Sequence, residues 1–161
     1  MLKTLYALLL LTLVLLLFTG ASDAERWKVF ETNYTSLCYI QSGDLNSFFW
    51  RISGADIDVY TYPGLAKSRI DRIVEKVQSL LDMYPENFRV DILLYPTYTE
   101  GPIACYSEED KSISAYVDRI TDGVLAHEIS HAVMNAYFKF PPPKKMAEIL
   151  SQYVDRNLWS E

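Results

Sequence analysis

Two histidines and a glutamate occupy one stretch of a predicted helix in the second half of the sequence. The segment VLAHEISHAV contains His127, Glu128 and His131, and these two histidines are the only ones in the chain. Residues four apart project from the same side of a helix, so both imidazoles can bind one metal ion. Glu128 is turned about 100° around the helix axis, which lets its carboxylate reach a water beside that ion. The pattern predicts a zinc site with a general base.

A catalytic zinc ion usually has three protein ligands and a water. The chain offers no third histidine, so the remaining donor must be a carboxylate or a thiolate. A predicted C-terminal helix supplies Glu148 in its first turn and Asp155 further along. An antiparallel return of this helix would bring Glu148 beside the histidines. The ordinary alternative for Glu148 is a solvated acid on an exposed helix face.

The strands and helices that the sequence predicts around these residues indicate an α+β domain. Strands are indicated by β-branched and aromatic residues at Trp27 to Ile40, Phe88 to Tyr95, Ile103 to Ser107 and Lys111 to Val117. Helices are indicated by apolar periodicity and end signals at Leu45 to Ile52, from Gly64 to near Pro85, Val124 to about Phe138, and Lys144 to about Leu158. Strands and helices therefore come first, followed by two helices.

Both C-terminal helices are predicted to have an apolar and a polar face. On the histidine helix the apolar face comprises Leu125, Ile129, Ala132, Val133, Ala136 and Phe140. On the last helix the apolar face comprises Met146, Ile149, Leu150, Tyr153 and Val154, and the polar face comprises Glu148, Ser151, Gln152 and Asp155. His127 and His131 fall opposite the apolar face, which argues against two histidines buried in the core.

The N-terminus has the pattern of a secretory signal peptide. Lys3 precedes an apolar run from Leu5 to Phe18, and Ser22 to Ala24 offers small residues for cleavage. We expect residues 1–24 to be this signal peptide and residues 25–161 to be a single domain, secreted or periplasmic. The alternative is an uncleaved membrane anchor, although the run is shorter than the ~20 residues that span a bilayer.

The net charge limits the classes of partner, and the two cysteines limit the possible redox states of the chain. The net charge is −6 with no basic stripe, so nucleic acid is excluded as a partner. Cys38 and Cys105 are either a disulfide or two buried free thiols, and the sequence leaves both open. We expect a monomer.

HEISH, followed 17 positions after His131 by Glu148 in KMAEILSQYV, resembles the gluzincin metallopeptidases, in particular their small single-domain members. The resemblance covers about residues 111–155. It implies a zincin-like fold: a small mixed sheet with an edge strand along the cleft, the HExxH helix and a C-terminal glutamate-bearing helix. By position it implies that His127, His131 and Glu148 bind one Zn²⁺ ion and that Glu128 is the base.

The implied function is an exported zinc-dependent metallopeptidase that hydrolyses peptide bonds. The strand Ser112 to Val117 takes the place of the edge strand, which in this family pairs with extended peptide substrate. Candidates to stabilise the tetrahedral intermediate are Tyr116, Tyr137 and Tyr153, each of which could instead be a packed aromatic. The alternatives are a non-catalytic zinc- or peptide-binding module of the same fold, and an exported adhesin or structural protein with a chance motif.

Overall fold

Five strands and four helices make up residues 26–160, which the computed structural model describes. The strands are β1 (Lys28–Glu31), β2 (Thr35–Tyr39), β3 (Val90–Tyr95), β4 (Ala104–Ser107) and β5 (Ser112–Tyr116). The helices are α1 (Ser42–Ser53), α2 (Pro63–Leu81), α3 (Asp122–Tyr137) and α4 (Lys144–Asn157). The predicted α+β class is confirmed, whereas the predicted signal peptide lies outside the described residues. Within residues 26–160, no helix is both long enough and apolar enough to cross a membrane.

The strands form one mixed sheet in the order β1-β2-β3-β5-β4. The inner strands β2, β3 and β5 run parallel, and each outer strand is antiparallel to its neighbour. Because β5 pairs with β3 on one side and with β4 on the other, its backbone is not free to bind a further strand. The prediction that Ser112 to Val117 is the edge strand is therefore wrong. The chain first forms β4 and then returns between β4 and β3, which leaves β4 at the edge.

The N-terminal strand segment, predicted from Trp27 to Ile40, is a hairpin rather than one strand. Strands β1 and β2 pair antiparallel, with Lys28 opposite Tyr39. Thr32 makes the turn between them, because its hydroxyl oxygen accepts the backbone N–H groups of Tyr34 and Thr35 at 3.3 and 3.0 Å. Side chain to backbone bonds of this kind replace the strand pairing locally.

Burial alternates along the sheet, so that the helices cover one of its faces. Five apolar sheet residues on the covered face are fully buried: Leu37, Ile92, Leu94, Ile113 and Ala115. They pack in one core with the aromatic pair Phe48 and Phe49 of α1, and with apolar residues of α2 and α3. Helix α3 thus rests on a rigid layer that fixes the position of its histidines.

The two cysteines lie on separate strands and are both free. Cys38 is on β2 and Cys105 is on β4, with β3 and β5 between them. Three strand spacings amount to about 14 Å, twice the ~7 Å that a disulfide can join. The disulfide alternative is therefore wrong. The buried-thiol alternative is wrong for Cys105, which is exposed, and Cys38 is half-buried.

Candidate metal centre

Helices α3 and α4 bring the three predicted ligands together. The Nε2 atoms of His127 and His131 lie 3.3 Å apart. Oε2 of Glu148 lies 3.5 Å from Nε2 of His127, and Oε1 lies 3.6 Å from Nε2 of His131. Among residues 26–160, this trio is the one cluster of His, Cys, Asp and Glu side chains that could hold a metal ion.

The spacing of these donor atoms fits a tetrahedral zinc ion. Zinc binds imidazole nitrogen and carboxylate oxygen at about 2.0–2.1 Å, which places two ligands of a tetrahedron about 3.3–3.4 Å apart. The two nitrogens lie at that spacing, 3.3 Å apart. The Glu148 carboxylate places one oxygen 3.5 Å from the first nitrogen and its other oxygen 3.6 Å from the second, and one donor atom from each residue lies within 4.8 Å of the others. Two imidazoles and one carboxylate are also a donor set that zinc favours, and three ligands leave one corner for water.

The environment of His131 favours the form of imidazole that binds metal. Burial lowers the pKa of His131, and the neighbouring His127 lowers it further. A neutral imidazole offers the nitrogen lone pair that a metal ion needs, whereas a protonated one does not. His131 is therefore held ready for ligation.

Helix α3 presents the histidines on the side away from the core. Four of its apolar residues are fully buried: Leu125, Ala126, Ile129 and Val133. His127, Glu128, His131 and Asn135 are half-buried instead. The predicted apolar face is confirmed for Leu125, Ile129, Ala132 and Val133, but it is wrong for Ala136, which is exposed. It is also wrong for Phe140, because α3 ends at Tyr137 and Phe140 lies in the following loop, 77% exposed.

Helix α4 approaches α3 through small side chains. Ser130 of α3 and Ser151 of α4 are fully buried, and their hydroxyl oxygens lie 2.5 Å apart. The Ser130 hydroxyl also donates to the backbone carbonyl of His127 at 2.6 Å. A buried hydroxyl pair is costly unless both members are hydrogen-bonded, so this contact fixes how the helices sit against each other.

The predicted faces of α4 are partly wrong. Val154 is buried as predicted, but Ser151 is buried as well, while Met146, Ile149 and Tyr153 are 54%, 58% and 49% exposed. The distance between packed helices depends on the side chains at the contact, and two serines allow a close approach. This contact orients α4 so that Glu148 faces the histidines and the larger apolar side chains face outward.

Overfilling this helix contact is expected to weaken the metal centre. Ser151→Leu should lower the free energy of unfolding by about 1–3 kcal/mol, because the added carbons have no space between α3 and α4. We expect zinc affinity to fall about 10–100-fold, as when a supporting residue of a metal site is lost. Urea unfolding and zinc titration measure the two effects, with Gln152→Leu on the exposed neighbouring position as the control. Unchanged zinc affinity in Ser151→Leu would show that this contact does not position Glu148.

The carboxylate of Glu128 is held against the edge strand. Its Oε2 accepts a hydrogen bond of 2.8 Å from the backbone N–H of Tyr106 on β4. Burial raises the pKa of Glu128, and the Glu148 carboxylate also raises it, while the Tyr106 N–H and His127 oppose the shift. A raised pKa suits a group that takes up a proton and passes it on near neutral pH.

A cavity of about 510 Å³ lies beside the three donor atoms. Ala104 and Tyr106 of β4 line it, as do Pro141 and Pro142 of the loop between α3 and α4. Two of the three consecutive prolines between α3 and α4 therefore form part of the cavity wall.

Tyr106 and Asn135 are residues of this cavity whose role the sequence did not indicate. Asn135 Nδ2 donates to the Tyr106 hydroxyl oxygen at 2.8 Å. Asn135 follows His131 by four residues and so shares its side of the helix. This spacing is the feature of the sequence that could have indicated Asn135 as a residue of the site. The three tyrosines that the sequence offered do not line the cavity. Tyr116 packs on Tyr95 and Tyr98, while Tyr137 and Tyr153 are each 49% exposed.

Asp155, the other carboxylate considered on α4, lies away from the histidines. Its side chain sits against Gly123, at the N-terminal end of α3, where a Cβ would collide with its Oδ1 atom. An acidic side chain at that end is stabilised by the helix dipole. Asp155 therefore has a structural position, and Glu148 is the carboxylate beside the histidines.

Comparisons of this chain with known protein families, with curated proteins and with solved structures each found no match. The gluzincin resemblance therefore depends on the residues and on their arrangement alone.

Proposed function

We propose that this protein is an exported zinc-dependent metallopeptidase with a zincin-like fold of the gluzincin type. One observation carries the proposal: two imidazole nitrogens of α3 lie 3.3 Å apart, and the Glu148 carboxylate of α4 has an oxygen within 3.6 Å of each of them. Glu128, whose side chain is half-buried, directly follows His127 in the chain. Two histidines that shared a helix face by chance would require neither the third donor nor the adjacent base.

In this proposal His127, His131 and Glu148 hold one Zn²⁺ ion. When bound, zinc supplies Lewis acidity, which lowers the pKa of a water and polarises a peptide carbonyl. Glu128 takes the proton from the attacking water and delivers it to the leaving amine nitrogen. The Tyr106 hydroxyl accepts its hydrogen bond from Asn135 and so keeps its own hydrogen for the oxyanion that develops on the carbonyl.

We infer that extended peptide substrate binds along β4, in place of the Ser112 to Val117 strand. The Tyr116 N–H donates to the Ile103 carbonyl at 3.0 Å. Because antiparallel strands alternate in which residues face the partner, the backbone groups of Ala104 and Tyr106 point away from β5. The Tyr106 N–H already donates to Glu128, which leaves the N–H and C=O of Ala104 and the C=O of Tyr106 for an added strand. Both residues line the cavity. An added strand at this edge would gain backbone hydrogen bonds with little sequence preference and would place its carbonyl near the metal centre.

Removal of metal tests this function. We expect the purified chain to contain one zinc ion and to hydrolyse an unstructured peptide, to lose that activity on treatment with a chelator, and to regain it with stoichiometric Zn²⁺ but not with Mg²⁺, which prefers all-oxygen ligands. Circular dichroism of the metal-free chain separates loss of the ion from loss of the fold. A chain that contains no zinc and takes none up cannot work in this way.

A further inference from the structure

The side of α4 that faces away from α3 carries basic and apolar side chains. We call it the α4 outer face, and its exposed residues are Lys145, Met146, Ile149, Gln152, Tyr153 and Arg156. No carboxylate is among them. The two acidic residues of α4 lie off this face, since Glu148 is beside the histidines and Asp155 is beside Gly123. A cation therefore stands at each end of this face, with apolar side chains between them, and within residues 26–160 neither Lys145 nor Arg156 forms an ion pair.

The loop before α4 extends the same character. Phe140 is 77% exposed between Lys139 and the prolines, and Lys144 follows them. Together with Lys145 and Arg156, this surface has four cations in a chain whose net charge is −6. A positive, partly apolar surface on an acidic protein is complementary to a partner that is both negative and apolar.

We propose that the α4 outer face and the Lys139 to Lys144 loop dock onto an anionic membrane surface. Helices that lie in the membrane interface combine basic residues with apolar ones that enter the boundary between headgroups and acyl chains. Tyrosine is a residue that favours this boundary, and each lysine or arginine gains from anionic headgroups. The side chains of this face are exposed together along one helix, so a planar lipid surface can contact them at once.

Docking in this orientation brings the rim of the cavity to the lipid surface. Pro141, Pro142 and Lys144 belong to the docking loop and also line the cavity beside the metal centre. The substrates would then be extended segments of proteins at the membrane surface. This last point depends on the proposed peptidase function, whereas membrane docking does not.

Vesicle binding by the full chain, purified in the form that the cell produces, tests the docking surface. We expect it to bind vesicles of equal parts phosphatidylcholine and phosphatidylglycerol, and to bind phosphatidylcholine vesicles poorly. Ile149→Ser should lower the partition coefficient about tenfold, since a half-exposed apolar side chain no longer enters the lipid. Lys145→Ala should lower it about fivefold, and salt near 1 M, where the Debye length is about 3 Å, should remove that difference.

Matched variants elsewhere on the surface provide the control. Leu65 of α2 is 58% exposed, as Ile149 is, so Leu65→Ser changes an apolar side chain of equal exposure. Lys28→Ala removes an exposed lysine on β1 and so matches Lys145→Ala. Neither should change vesicle binding. Absence of binding, or binding that Ile149→Ser and Lys145→Ala leave intact, would overturn the proposal. So would a dimer in solution that Ile149→Ser dissociates without any vesicle binding. Because no hydrolysis is measured, these results do not depend on the metal centre.

Discussion

Glu128→Gln is expected to lower kcat for peptide hydrolysis by about 10²–10⁴-fold while the zinc content stays unchanged. Glutamine has the same shape and its carbonyl oxygen can still accept the Tyr106 N–H, so the 2.8 Å contact with β4 should persist. The amide cannot take up a proton, however, and the attacking water then has no base. Steady-state kinetics on an unstructured peptide, together with metal analysis of the same preparation, measures both quantities.

Glu108→Gln is a matched control for this substitution. Glu108 lines the same cavity but is not part of the metal cluster, so its loss of charge should change kcat little. Equal activity of Glu128→Gln and the wild type would remove Glu128 from the role of base. A wild type that binds zinc and hydrolyses nothing would favour the non-catalytic zinc- or peptide-binding module.

The second large effect is expected at the third ligand. Glu148→Ala should lower zinc affinity by more than the about 100-fold that loss of a supporting residue can cost, because one of three protein donors is removed. The remaining pair, His127 and His131, still shares one helix face and should retain weak binding. Competition titration with a chromophoric chelator measures the two dissociation constants.

Asp155→Asn controls for acidic charge on the same helix. Asp155 lies near Gly123 rather than near the histidines, so zinc affinity should be unchanged in this variant. If Asp155→Asn loses zinc and Glu148→Ala keeps it, the ligand assignment on α4 is reversed. Circular dichroism establishes that both variants fold.

The features of the site that the sequence predicted are those that depend on local spacing. His127, Glu128 and His131 have positions fixed by one helix, and α3 runs from Asp122 to Tyr137 where Val124 to about Phe138 was predicted. Helix α4 begins at Lys144 as predicted, because three prolines cannot continue a helix. A short sequence is sufficient for such statements, since each depends on neighbours within a few residues.

The features that the sequence did not predict depend on contacts between distant segments. The apolar periodicity of α4 predicted that its larger side chains face the core. The buried hydrogen bond between Ser130 and Ser151 sets the orientation of the helix instead. The strand order also depends on contacts between distant segments. β5 has the stronger strand pattern and was predicted to be the edge strand, yet it pairs on both sides and leaves β4 at the edge. Tyr106 lines the cavity beside His127, His131 and Glu148 only because β4 lies there. Pattern within one segment does not specify which segment lies beside it.

Zinc-edge anomalous diffraction from crystals grown with Zn²⁺ tests the central claim most directly. We predict one strong peak per chain, about 2.0–2.1 Å from Nε2 of His127, Nε2 of His131 and a carboxylate oxygen of Glu148, with a fourth position open toward the cavity. A peak bound by other residues, or the absence of a peak between α3 and α4, would contradict the assignment of this protein as a zinc metallopeptidase.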